Sequence, residues 1–507
     1  ILASAVLSRH DINALHHVYG RSGVRGQRGD HFGFRMLTHD FDADGFVDLA
    51  VGVPGRADRR GSVHLYKGTG SGFVLWKVLR PRDGQDGESF GWSLAAGDFN
   101  SDGVQDLAVG APRATVDGKA QAGRVHLFRI RSDASDEAFD VLTKPSSAGP
   151  IEVMDRFGFA LEAGQFVAGA PRGLVIGAPG ARSPNGQRGG RVWFQVQGLL
   201  DPITEVLVNG APAARFGQMG FALTKLSGRI GMATVGLDTL VVAAPGVTLG
   251  GCGDPVVYTT RPRPGGLQTD AVLRQPDAAS PAFCPQDPDL SDALDRFPNP
   301  VWDAGFGAEM ASGDFNGDGL PDLAIAGGRQ VHPLFREVGG SWVARPPLRW
   351  PNEPSFSGAL AVADLNQDGR DDLLVGVPQQ AVDGLPGAGV VHAFHGCRVP
   401  SRTCRSGLRA AFRVTQDDAL EVPVPGQAQP VAISVSSSRA GDRFGNALVA
   451  WSVPGENRSM FAVGSPGKSF ADESRAGAAF LFLPSLTGGT PYRNAAGLNQ
   501  RFETRLE

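Results

Sequence analysis

Four short stretches of the chain set oxygen-bearing side chains at alternate positions. The first holds Asp40, Asp42, Asp44 and Asp48, the second Asp98, Asn100, Asp102 and Asp106. The third holds Asp314, Asn316, Asp318 and Asp322, the fourth Asp364, Asn366, Asp368 and Asp372. Residues at positions 1, 3 and 5 of such a run can turn their oxygens toward one centre. Glycine follows at position 6 (Gly45, Gly103, Gly319, Gly369) and permits the sharp bend. Position 7, which is Phe46, Val104, Leu320 or Arg370, offers a backbone carbonyl, and the Asp at position 9 closes the shell. A set of hard oxygen ligands suits Ca²⁺ better than zinc or copper. The runs are not EF-hands: position 12, where an EF-hand needs a bidentate Glu, is Val51, Val109, Ile325 or Val375. Asp, Asn and Gly also make ordinary polar turns, but four copies in one phase point to a shared ligand. Like charges a few ångströms apart repel by roughly 1–4 kcal/mol per pair near a protein surface, a cost that a bound cation removes. About four calcium ions are therefore expected.

The phase is set by an internal repeat. A Phe-Gly pair recurs at Phe32-Gly33, Phe90-Gly91, Phe157-Gly158, Phe216-Gly217, Phe306-Gly307 and Phe444-Gly445, with Phe356-Ser357 as a variant. Each pair leads to an apolar run that ends in Gly-Ala-Pro or a relative, such as Val51-Gly-Val-Pro54 and Val109-Gly-Ala-Pro112. The distance from the Phe to the end of that run is 22 positions in six of the seven copies, and 29 in the fourth. Each copy reads as short β-strands bounded by turn residues. The third strand is clear in Ser62-Val-His-Leu-Tyr66 and Arg124-Val-His-Leu-Phe128, the fourth in Phe73–Leu79 and Phe139–Leu142. Seven such units predict an all-β chain, a seven-bladed β-propeller of four-stranded antiparallel blades with calcium loops in four of them. The whole of 1–507 forms one domain in this reading, with repeats beginning near 30, 88, 155, 214, 304, 354 and 442 and insertions at about 263–303 and 397–441. Repeats three, four and seven lack the ligands; Gln165, Val167, Gly169 and Gly173 stand at the matching places of repeat three, and Ser452, Pro454, Glu456 and Met460 in repeat seven.

Phe-Gly, an Asp-rich loop and Gly-Ala-Pro together resemble the FG-GAP repeat of the integrin α-subunit propeller and of bacterial integrin-like surface proteins. The resemblance covers about residues 30–485. It implies that the metal loops lie on the lower face of the ring. The Gly-Ala-Pro loops and the segments before each Phe then share the upper face, where recognition is expected.

Composition narrows the partners. The 507 residues carry a formal charge of −4, giving no footprint for nucleic acid. No apolar run is long enough to span a bilayer. The chain opens Ile1-Leu2-Ala3-Ser4 without Met, which reads as a processed or truncated chain from which any targeting or signal peptide is gone. Four cysteines make Cys252–Cys284 and Cys397–Cys404 the simplest pairing, as in an oxidising compartment. His64, His126, His332 and His392 share one strand position with Trp193, Tyr258 and Phe480, so that position reads as inter-blade packing. Arg28-Gly29-Asp30 is explained by the repeat, since Asp155 and Asp442 also stand two residues before the Phe. Asn457-Arg-Ser459 is a weak glycosylation sequon, and Asp287, Asp289, Asp292 and Asp295 read as a solvated loop. No nucleophile elbow, Walker loop or HExxH is present. The expected function is an extracytoplasmic, bacterial, calcium-stabilised module without enzymatic activity that binds a protein ligand or surface receptor through upper-face loops. The alternatives are a carbohydrate-binding propeller, with Trp302 and Trp350 as platforms, or a glycan- or lipid-processing enzyme built on the same ring.

Overall fold

The computed structural model describes residues 29–69, 72–81, 83–130, 138–145, 149–166, 172–182, 189–195, 204–205, 218–227, 237–245, 256–263, 266–274, 306–327, 329–349, 358–398, 404, 406–417, 420–422, 431–433, 438–453, 459–469, 475–484 and 492–498. Blade one shows the plan. Its first strand, Arg35–His39, pairs antiparallel with Asp48–Val53, which pairs with Ser62–Thr69, which pairs with Gly72–Leu79. Six further sheets among the described residues repeat that order, so the protein is a seven-bladed β-propeller of four-stranded antiparallel blades. Blade five adds a short side pairing through Leu348–Arg349, and a separate hairpin joins Leu420–Val422 to Val431–Ile433.

The second strands explain the apolar runs. Those of the first six blades are buried at every position, from Asp48–Val53 to Asp372–Val377. Both faces of each sheet are covered because blades stack on their neighbours. The first strands touch in ring order, and Ala447–Ser452 of blade seven meets Arg35–His39 of blade one. Seven apolar clusters fill the seven inter-blade layers.

The repeat signature has a direct physical cause. Among the described residues the Phe of the pair is fully buried and packs edge-on against the third-strand slot of its own blade: Phe32 on His64, Phe90 on His126, Phe157 on Trp193 and Phe306 on His332, at centroid separations of 5.2–5.5 Å. Such T-shaped pairs are favourable for aromatic rings. The glycine of the Gly-Ala-Pro run lies where blades approach most closely. A Cβ on Gly52, Gly110, Gly177 or Gly376 would run into the carbonyl oxygen of Gly91, Gly158, Gly220 or Gly445 on the next blade. On Gly464 it would meet Gly33, which closes the ring.

Two expectations are corrected. In repeat four, Leu223 pairs with Val242 as Met36 pairs with Val51, which brings Met219-Gly220 into the register of Phe32-Gly33. Gly190 bridges Met219 as Gly61 bridges Phe90, so Phe216-Gly217, which lies outside the described residues, is not the equivalent pair. The supposed insertions at 263–303 and 397–441 include the fourth strands of blades four and six, Gly266–Arg274 and Leu408–Val414. The fourth strand of blade seven is Tyr492–Leu498.

Candidate functional site

In an antiparallel blade, the connection between first and second strands leaves at one edge of the ring, and that between second and third strands at the other. The four acidic loops are first connections and share the lower face. They are built alike. The position-1 carboxylate accepts hydrogen bonds from the backbone of positions 5 and 6: Asp40 from Asp44 and Gly45, Asp98 from Asp102 and Gly103, Asp314 from Asp318 and Gly319, Asp364 from Asp368 and Gly369, at 2.7–3.2 Å. The position-5 carboxylates of Asp44, Asp102, Asp318 and Asp368 accept from the N–H of Phe46, Val104, Leu320 and Arg370 at 2.8–3.0 Å. The Asn side chains at position 3, Asn100, Asn316 and Asn366, accept from the N–H of position 5. Gly45, Gly103, Gly319 and Gly369 take positive φ, a conformation that glycine adopts at little cost.

The position-9 residues Asp48, Asp106, Asp322 and Asp372 are fully buried. Each accepts from the N–H of position 2, namely Phe41, Phe99, Phe315 or Leu365. Asp48, Asp322 and Asp372 also accept from Gly68, Arg336 and Gly396 on the third strand. Position 9 thus ties the loop to the sheet. Burial, reinforced by neighbouring Asp residues, pushes Asp48 up to about 6, Asp106 to about 7 and Asp322 to about 8. A carboxylate so desolvated is favoured when a proton or a cation offsets its charge.

The residues fit a hard cation best in loop one. Carboxylate oxygens of Asp40, Asp42 and Asp48 lie within 4.8 Å of one another, the only such group among the described residues. Asp42 Oδ1 is buried without a hydrogen-bond partner there. The other loops carry Asn at position 3, so their donor sets mix amide and carboxylate oxygens.

The opposite face holds features that the repeat count alone does not reveal. The residue after the Phe-Gly glycine is Phe34, Trp92 and Phe159 in blades one to three, and after the equivalent Met219-Gly220 of blade four it is Phe221. These half-buried rings form an unbroken arc, with successive centroids 4.9, 5.4 and 5.1 Å apart. The Arg113 guanidinium lies 5.9 Å over the Trp92 ring. Blades five to seven place Ala308, Gly358 and Asn446 there, so the arc covers one side of the mouth. Three of the four aromatics follow directly from reading one residue past Phe-Gly; Phe221 requires the corrected register. Beneath the arc, Arg35 of blade one reaches Glu309 of blade five at 3.5 Å. These blades are not neighbours, so the pair spans the central channel.

The carboxylates two residues before the Phe are structural. Asp30 faces Arg56 at 3.5 Å, Asp155 faces Lys144 at 2.8 Å and Asp442 faces Lys468 at 2.8 Å, all buried. Asp30 is thereby accounted for by the repeat, while Arg28 lies outside the described residues. The strand histidines are packing groups: burial pushes His64 down to about 3, and His126 and His392 to about 4. Cys397 and Cys404 form a disulfide. Cys252, Cys284, Asp287, Asp289, Asp292, Asp295, Trp302, Trp350 and Asn457 lie outside the described residues.

A ring of seven such blades, stitched by Phe-Gly and Gly-Ala-Pro contacts, defines a propeller of FG-GAP repeats. Residues 32–66 and 90–128 match the FG-GAP repeat, and residues 314–375 match an FG-GAP-like repeat. The chain is 29% identical over 272 residues to integrin alpha-PS2 of Drosophila melanogaster, spanning 51% of this chain and 18% of that protein. It is 36% identical over 155 residues to integrin alpha-7 of Rattus norvegicus, spanning 29% of this chain and 12% of that protein. It is also 23% identical over 478 residues to phosphatidylinositol-glycan-specific phospholipase D of Bos taurus, spanning 85% of this chain and 52% of that protein. The chain is an integrin-like FG-GAP-repeat propeller protein, and it spans about half or less of the length of each of these relatives.

Proposed function

We propose that this propeller is an extracytoplasmic, calcium-stabilised adhesion module that binds a protein partner through its upper face and has no enzymatic activity of its own. The observation that carries the reading is the arc of Phe34, Trp92, Phe159 and Phe221 at the upper mouth. Half-buried aromatic faces on a rigid scaffold offer a large contact area at low entropic cost and are typical of binding hot spots. The integrin relatives favour a protein ligand, and the Cys397–Cys404 disulfide favours an oxidising compartment such as a bacterial cell surface or exterior. No helix among the described residues is long and apolar enough to cross a membrane. Calcium would be held by positions 1, 3, 5 and 9 of the four loops and by the position-7 carbonyl, closing each turn against its sheet.

Adhesion of cells to the immobilised chain tests the proposal. Trp92→Ala and Phe159→Ala should each reduce it more than tenfold, and EGTA should reduce it for the unaltered chain. Adhesion that survives both substitutions sinks the upper-face reading. The relative named for phospholipase D matches most of this chain, which supports a second reading in which the propeller engages a phosphatidylinositol-glycan. Binding to such a glycan on an array, or its hydrolysis by this chain alone, would favour that reading over the first.

A further inference from the structure

Loop one differs from the other three in two linked ways. Its position 3 is Asp42, where the others carry Asn100, Asn316 and Asn366. The third strand of its own blade also supplies Lys67, whose ammonium donates to Asp42 Oδ2 and lies 2.9 Å from Asp44 Oδ2. The Asp42 side chain is only 6% exposed. Lys67 therefore bonds positions 3 and 5, two of the carboxylates that a divalent ion in this loop would take. Its ammonium also lies 5.9 Å from the ring centroid of Trp76 on the adjoining strand, where an aromatic face holds a cation in place.

The other loops are graded. In loop two, Arg129 at the matching strand position reaches Asp102 alone, at 2.7 Å. With each loop numbered by its blade, so that 314–322 is loop five and 364–372 loop six, Arg370 of loop six reaches Asp368 at 2.8 Å and His395 reaches Asp372 at 3.0 Å. Among the described residues no basic side chain pairs with Asp314, Asp318 or Asp322 of loop five. With Lys67 counted against its extra carboxylate, loop one carries the same formal charge as loop five, which has three Asp and no basic partner among the described residues.

We propose that Lys67 is a tethered cation that competes with calcium for loop one, so that this loop is closed by the chain's own ammonium while loop five depends most on the metal. The inference rests on the calcium reading given above. For an ion to enter, Lys67 must leave Asp42 and Asp44, because an ammonium and a divalent ion on the same oxygens repel. Loop one, with the most carboxylates, then becomes the weakest site.

Calcium titration of the full chain by calorimetry, with ions counted by native mass spectrometry, tests this. The unaltered chain should bind one ion at least tenfold more weakly than the rest. Lys67→Met should tighten that site at least tenfold, leave the others unchanged and make the melting temperature more sensitive to EGTA. Lys67→Arg should behave as the unaltered chain. Asp42→Asn combined with Lys67→Met should yield a site of loop-five affinity. Uptake by the other loops with no site tightened in Lys67→Met overturns the tethered-cation role alone. No uptake by either chain, with Asp318→Ala without effect, overturns the calcium reading and this inference with it.

Discussion

The third-strand histidines show how a titratable group can be held as a packing element. Burial against Phe32 and Phe90 forces His64 and His126 to remain neutral, at about 3 and about 4 against an ordinary value near 6.5. The folded values lie below the unfolded one, so the unfolded chain binds more protons as pH falls through 6.5. Stability is therefore fully present above about 6.5 and is lost as pH falls toward 4. Blades three and seven place Trp193 and Phe480 in the same slot and escape this dependence. The double variant His64→Phe/His126→Phe should flatten the loss of stability between pH 6.5 and 4.5 in denaturant titrations; an unchanged slope would place the proton uptake elsewhere. The buried pairs on the upper face behave differently. Removing one partner leaves the other charge stranded, so Asp442→Ala should cost about 3–5 kcal/mol of stability through Lys468. A loss below 1 kcal/mol in the same titrations would show that Lys468 finds another partner.

At the level of the strand and its flanking turns, the contact between blades sets the motif. Gly110→Ala would push a methyl group into the Gly158 carbonyl and should destabilise by about 1–3 kcal/mol. Blade four already carries Ala243 at this position, opposite Gly307, and Ala243→Gly should cost less; equal losses in both variants would mean that backbone proximity does not decide the residue. This is why the propeller was legible in the sequence: the Phe-Gly and Gly-Ala-Pro residues meet fixed neighbours at fixed spacing. Repeat four slipped because Phe216-Gly217 offers the right letters three residues early, while Met219 fills the place between blades three and four. The outer strand of blade six was hidden for another reason. Leu408–Val414 is exposed or half-exposed along most of its length, so it carries little apolar signal and passed for an insertion. The loops were legible through their local Asp, Asn and Gly spacing. Lys67 was not, because 25 residues and a strand pairing separate it from Asp42.

On the scale of the whole ring, seven apolar layers of similar make-up join in a cycle, and the Arg35–Glu309 pair ties two non-adjacent blades across its centre. Loss of any one layer exposes two sheets, so unfolding should be a single cooperative transition. If calcium binds only the folded ring, chelation should lower its midpoint by mass action. An EGTA-insensitive melting curve at millimolar calcium would remove the metal from the account of stability. Among the described residues each blade takes all four strands from one continuous stretch, including the last, which is completed by Tyr492–Leu498. A chain leaving the ribosome can thus finish every sheet in turn without waiting for its far end. Only the seam where Gly464 meets Gly33 must await the final blade, which makes that seam the step at which a nascent protein remains open to capture by a chaperone.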